Sequence, residues 1–382
     1  MKKILLAAIL LILLVSSASG DTKKRIVIGF KEDAVINEAV VDEVLSGVDY
    51  KIVQINHKLK FAVIETEQDL KTVKSKVKSS LVDYVEYDTI YHAIGTVDYP
   101  SDPLFSYQWN LYSINVTSAW DICSGGNITV AVVDTGIDYN HPDLAANYVS
   151  GGYDWVNNDD DPMDDNGHGT HCAGIIAAVT DNGEGIAGIA QVKLLAEKVL
   201  NRYGTGYSSW IANGIVHAAD NGAKVISLSL GSDNPSYTIK RACNYAWKKG
   251  VLLVAAAGND GTRGIDYPAA YLSVIAVGAI DENDKKAYFS NYGKGLELVA
   301  PGVNILSTYL NSGYKRLDGT SMAAPHVSGV AALLWSCNPD LTNKDVRIIL
   351  DKTAQDLGKS GYDCYYGFGK IDAYKALSMA FD

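Results

Sequence analysis

Ile128-Thr129-Val130-Ala131-Val132-Val133-Asp134-Thr135-Gly136-Ile137-Asp138 opens on an apolar, β-branched run and closes on a carboxylate followed by a glycine turn. A short continuous apolar run is the pattern of a strand covered on both faces, as in a parallel sheet flanked by helices. Val192 to Val199, Val225 to Leu230, Val251 to Ala257 and Val274 to Val277 repeat it, while Ser209 to Asn221 and Ile239 to Lys249 carry helical spacing between them. Strands alternating with helices predict a doubly wound α/β sheet, whose active groups gather at the carboxyl ends of the strands. Asp134 stands at such an end.

The chain has 382 residues, 47% hydrophobic and 20% charged, enough apolar material for a large core and too much for a disordered chain. Its 44 acidic and 33 basic residues give a net charge of −11, with the excess beyond residue 95. That argues against a nucleic-acid binder that tracks phosphates, which would show a basic face.

At the N-terminus, Met1-Lys2-Lys3 precedes an apolar run from Ile4 to Val15 and the small residues Ser16-Ser17-Ala18-Ser19-Gly20. This reads as a secretory signal over residues 1–20, too short to span a membrane comfortably, with an uncleaved anchor as the alternative. Export is therefore expected, with no stable membrane association once the segment is removed. Residues 21–94 change texture to a small α+β unit: strands at Lys24 to Phe30 and Lys60 to Glu65, helices at Val35 to Leu45 and Glu67 to Ser79. Residues 95–382 form the large α/β piece.

Two further segments carry chemistry. In Asn166-Gly167-His168-Gly169-Thr170-His171-Cys172-Ala173-Gly174, a histidine flanked by glycines opens an apolar helix. Histidines three apart can bind metal, but no glutamate motif or second thiolate pair accompanies them, which argues against zinc. The macrodipole at a helix start disfavours a charged imidazole and suits a neutral base. In Asp318-Gly319-Thr320-Ser321-Met322-Ala323-Ala324-Pro325-His326, a serine opens the apolar helix Val327 to Trp335, where backbone N–H groups stabilise developing negative charge. Pro325 is expected in the first helical turn, where proline is tolerated. A helix-cap role for either Asp134 or Ser321 is the plainer alternative, but it leaves the surrounding glycines without a purpose.

Asp134, His168 and Ser321, in this order and with these flanks, resemble the subtilisin-like serine proteases, most closely the thermitase branch, over about residues 99–378. The resemblance implies that His168 accepts the Ser321 proton, Asp134 holds the His168 tautomer, and an acyl-enzyme forms. Asn259, in Ala255-Ala256-Ala257-Gly258-Asn259, would join the Ser321 N–H as an oxyanion donor. Ser229-Leu230-Gly231 and Gly204-Thr205-Gly206 would be the strand edges that pair with an extended polypeptide substrate, and Ala256 and Gly258 would line the primary specificity pocket. Asp266 falls where many relatives have a small or neutral residue at the pocket base, so a preference for Lys or Arg is expected, unless it turns to solvent or pairs with Arg263. Two other classes compete: a silent relative, which would need none of these four groups, and a lipase-like hydrolase, disfavoured by the residue order and the lack of a G-x-S-x-G elbow at Ser321.

By the same resemblance, residues 21–94 are an inhibitory, ferredoxin-like propeptide acting on its own catalytic domain, released by self-cleavage near Ile94-Gly95, and the mature enzyme is a monomer. Calcium is the implied cofactor. One site would use Asp102, Asp143, the Asn182 side chain and the carbonyls of Val179, Glu184 and Ile186; a second would use Asp154, Asn157, Asp159 and Asp161, where Met163 departs from the expected oxygen ligand. Five cysteines leave connectivity open; Cys172 is expected to be unpaired, and a Cys337–Cys364 bridge is conceivable.

Overall fold

The computed structural model describes residues 24–77, 80–88 and 100–380, in two compact units divided after residue 97. The expected signal segment and the stretch around Ile94-Gly95 lie outside the described residues.

In the smaller unit, strands Lys24–Phe30, Lys51–Asn56, Phe61–Thr66 and Val82–Tyr87 pair antiparallel in the order second, third, first, fourth. Ile26 and Ile28 point to one face by the two-residue period of a strand and meet Val41 and Val73 from the helices Glu38–Val44 and Leu70–Lys76. Asn37 and Asp69 start those helices by accepting the N–H three residues on.

The larger unit is built on seven strands, β1 (Gly125–Asp134), β2 (Tyr153–Asp154), β3 (Gln191–Lys198), β4 (Val225–Leu228), β5 (Leu252–Ala256), β6 (Val274–Ile280) and β7 (Leu298–Pro301). They lie in the order β7-β6-β5-β4-β1-β3-β2, every pair parallel. This is the expected doubly wound α/β sheet. Val130 and Val132 point into one apolar layer with α1 (His168–Ala177) and α4 (Thr320–Cys337), whereas Ala131 and Val133 point into the other with α2 (Ser208–Asp220) and α3 (Tyr237–Lys248). Two covered faces explain why the strand reads as continuously apolar. The connections run to opposite sides of β1, so its carboxyl end and that of β4 flank the switch point where such sheets bind ligands.

Met322 to Trp335 are all buried, so α4 is apolar around its whole circumference. Because α4 begins at Thr320, Pro325 is its sixth residue and lies beyond the first turn, contrary to the sequence expectation. The cysteine expectation also needs correcting. Cys337 bonds to Cys123 rather than Cys364, because the last turn of α4 returns to the segment leading into β1 and brings the two Cα atoms within 6.0 Å. Cys172, Cys243 and Cys364 are free. No helix among the described residues is long and apolar enough to cross a membrane.

Candidate active site

Asp134 ends β1 and is fully buried. His168 is the first residue of α1, entered through Gly167 at φ 101°, a conformation that favours glycine. Nδ1 of His168 lies 2.7 Å from Asp134 Oδ1, which also accepts the Thr135 N–H at 2.7 Å. Burial opposes a charged His168, but the charge of Asp134 and the hydrogen bond to it outweigh burial, so the imidazole titrates above its ordinary value. The helix-start argument alone predicts the opposite direction; the neighbouring carboxylate reverses it.

Several groups to which the sequence reading gives no role in the site hold this pair. Asp164 takes the Thr135 hydroxyl at 2.8 Å and the N–H groups of Asn166, Gly167 and Thr170 at 2.9 Å each, so one carboxylate caps α1 and anchors the turn after β1. The buried Lys198 ammonium donates to the Thr135 carbonyl at 2.7 Å and to Asp165 at 2.6 Å. His171 points away from His168: its Nε2 lies 3.1 Å from the Ile305 carbonyl and 3.0 Å from that of Lys315, on a hairpin (Ile305–Tyr309, Gly313–Leu317) that clamps α1. Burial lowers its pKa to about 4. Only the aspartates and the histidine pair left a trace in the sequence, as polar residues in otherwise apolar or glycine-rich surroundings.

Ser321 is the second residue of α4, and its hydroxyl donates to the Ser229 carbonyl at 3.1 Å rather than to His168. Asn259 accepts through Oδ1 from the Thr320 N–H at 2.8 Å and the Thr320 hydroxyl at 2.9 Å, leaving Nδ2 to face elsewhere. A Cβ on Gly319 would lie 3.5 Å from the Ser321 nitrogen and 3.6 Å from Asn259 Nδ2. Two N–H donors thus border one small space that glycine leaves open.

Gly204, Thr205, Gly206, Ser229, Leu230 and Gly231 line, with His168, one groove of about 490 Å³ floored by Leu200, Ile211 and Ile239. Ala256 and Gly258 lie at the end of β5, and a Cβ on Gly258 would come within 2.6 Å of the Asp266 carboxyl. A Cβ on Gly231 would lie 3.1 Å from that of Asp266, so this acid sits against both glycines. Among the described residues its only side-chain hydrogen-bond partner is Asn291, at 3.2 Å, and none of the described ion pairs joins it to Arg263. Burial, then the charges of Asp260 and Asp233, raise its pKa.

The two acidic clusters differ in how their oxygens are used. Asp102 and Asp143 are buried and converge on the loop from Val179 to Ile186, accepting from Asp181, Asn182 and Ile186, and no described cation pairs with either. Burial raises the pKa of both. Among the described residues, no hydrogen bond reaches the carbonyls of Val179, Glu184 or Ile186. A buried carboxylate pair beside free carbonyls fits a hard cation. In the second cluster, Asp154 accepts three bonds from Val156 and Asn157, Asp159 accepts the Asp161 N–H at 3.0 Å, and Asp161 accepts the Tyr139 hydroxyl at 2.6 Å. That cluster is largely satisfied by its own surroundings. Asp134, His168 and Cys172 also bring potential ligand atoms within 4.8 Å of one another, but burial keeps the thiol protonated.

A model of the subtilase family matches residues 125–369. The chain is 43% identical over 358 residues to a thermophilic serine proteinase of Bacillus sp. (strain AK1), covering 92% of this chain and 87% of that one. It is 50% identical over 280 residues to thermitase of Thermoactinomyces vulgaris, covering 73% and 99%. A solved protease structure from Pseudoalteromonas arctica superposes with a TM-score of 0.69 at 36% identity, covering 74% of this chain and 99% of that one. With the sheet, the helices and these likenesses in agreement, the chain belongs to the subtilase family, near its thermitase branch, and is a subtilisin-like serine endopeptidase.

Proposed function

We propose that the chain is made as an exported precursor and matures by self-cleavage into a calcium-stabilised endopeptidase working through Asp134, His168 and Ser321. The observation that carries this reading is the 2.7 Å contact between His168 and Asp134, with Ser321 opening α4 beside the N–H donors near Gly319. When an extended polypeptide pairs with Gly204–Gly206 and Ser229–Gly231, its backbone competes for the Ser229 carbonyl, and the Ser321 hydroxyl turns to Nε2 of His168. Oγ attacks the scissile carbonyl carbon as its proton passes to Nε2. The oxyanion is met by the Ser321 N–H and Asn259 Nδ2, each such donor contributing roughly 3–4 kcal/mol. His168 then gives its proton to the leaving amine, and water, deprotonated by the same imidazole, releases the acyl group. Asp134 keeps the proton of the resting imidazole on Nδ1 and stabilises the imidazolium.

Asp102 and Asp143, with Asn182 and the carbonyls of Val179, Glu184 and Ile186, would hold calcium; bound there, the ion neutralises two buried charges. Residues 21–94 act as the inhibitory propeptide. Expression of wild type beside Ser321→Ala tests the whole reading: wild type is expected to lose about the first 94 residues while the variant keeps residues 21–94 attached. Equal maturation of both would remove self-processing, and an active Ser321→Ala would remove the nucleophile.

Asp266 supports a basic preference, since a Lys or Arg side chain would supply a countercharge that none of the described ion pairs gives Asp233, Asp260 or Asp266. Peptides with Lys or Arg before the scissile bond are expected to be cut faster than their Phe or Leu counterparts. Equal rates would sink this part.

A further inference from the structure

We propose that the Ser229 hydroxyl is a positioning group for the nucleophile, acting on a carbonyl that Pro325 leaves without its helical partner. In an α-helix the carbonyl of residue 321 accepts from the N–H of residue 325. Pro325, inside α4, has no N–H to give, so Ser321 O lacks its ladder donor. Ser229 Oγ donates to it at 2.8 Å. The Cys172 thiol, which burial keeps protonated, donates to the same oxygen at 3.4 Å.

The geometry of this capture is reciprocal. The Ser229 hydroxyl holds the Ser321 carbonyl while the Ser229 carbonyl holds the Ser321 hydroxyl at 3.1 Å. Ser229 is only 5% exposed, so both bonds are shielded from water. Cys172 lies four residues beyond His168 on α1, on the same face. One oxygen therefore ties together the end of β4, the helix that carries the base and the helix that carries the nucleophile. The peptide plane beyond Ser321 is fixed by this contact, and with it the approach of Oγ to both Nε2 and the scissile carbon. A misplacement of about 1 Å in such a constellation costs on the order of 100-fold in rate.

This inference rests on Ser321 being the nucleophile. The test is a double-mutant cycle on the self-processed protein with a chromogenic peptide: wild type, Ser229→Ala, Pro325→Ala and the double variant. Ser229→Ala is expected to lower kcat roughly 10- to 100-fold with KM within about twofold, because the Ser229 backbone that pairs with substrate is intact. Pro325→Ala restores an N–H to the Ser321 carbonyl, so in that background the same change is expected to cost less than about threefold. Ser229→Cys, which keeps a weak donor, should fall between. Wild-type kcat in Ser229→Ala, or an equal loss in both backgrounds, would overturn the inference. Inactive wild-type protein would instead overturn the proposed function. If Ser229→Ala stalls with residues 21–94 still attached, melting equal to that of Ser321→Ala supports positioning, whereas a lower melting temperature assigns the defect to folding and overturns it.

Discussion

The loop joining Asp102 and Asp143 and the loop from Asp154 to Asp161 read alike as sequence, each a concentration of carboxylates and amides in a turn, yet they are built differently. In the first, burial pushes two carboxylates toward their neutral form, Asp143 further through the charge of Asp102, and among the described residues they face carbonyls without donors. In the second, Asp159 and Asp161 are exposed and the carboxylates accept bonds from N–H and hydroxyl groups nearby. Charge density therefore says less about a cation site than the state of the surrounding carbonyls and the depth of the carboxylates.

The largest effect should come from removing calcium. A ligand present at a thousand times its dissociation constant contributes about 4 kcal/mol, so chelation is expected to lower the melting temperature by roughly 10 °C in a unit of this size. Asp143→Ala should lose that response, whereas Asp161→Ala should keep it and cost about 1 kcal/mol or less. A chelator response that vanished with Asp161→Ala and survived Asp143→Ala would invert the comparison.

A smaller effect concerns Glu197, a buried carboxylate whose partners are protein groups: Nδ1 of His217 at 2.7 Å and the Trp155 indole at 2.9 Å. Burial raises its pKa to about 7 from 4.5, against the pull of His217 and Trp155. The folded chain therefore binds more protons than the unfolded one between these values, and stability falls as pH rises from about 4.5 through about 7. Glu197→Gln should flatten that slope, relieving at most about 3 kcal/mol above pH 7, and should not change the chelator response. Melting from pH 4.5 to 8, with and without chelator, would separate the two kinds of buried acid; an unchanged slope would remove the assignment to Glu197.

What could be read in advance follows from range. The apolar runs at Ile128 to Val133 and Val225 to Leu230 announce strands because burial on both faces acts on consecutive residues. The two-residue edge strand Tyr153–Asp154 has no such run and was illegible. Asp134, His168 and Ser321 stand out because their flanking glycines have no other use. Asp164 carries no local signal of its role, which depends on Thr135 and Thr170, brought to it by the fold. The displacement of Pro325 from the first turn follows from where α4 starts, and Gly319 rather than a capping side chain sets that start. The disulfide partner of Cys337 lies 214 residues away, beyond the reach of any local pattern.

That covalent link has a consequence for an enzyme whose own surface loops are polypeptide. Asp134, His168, Asn259 and Ser321 all lie between Cys123 and Cys337. A single autolytic nick anywhere in this stretch yields two fragments that stay tethered, so the halves cannot diffuse apart and the cut can be tolerated without dispersing these four residues.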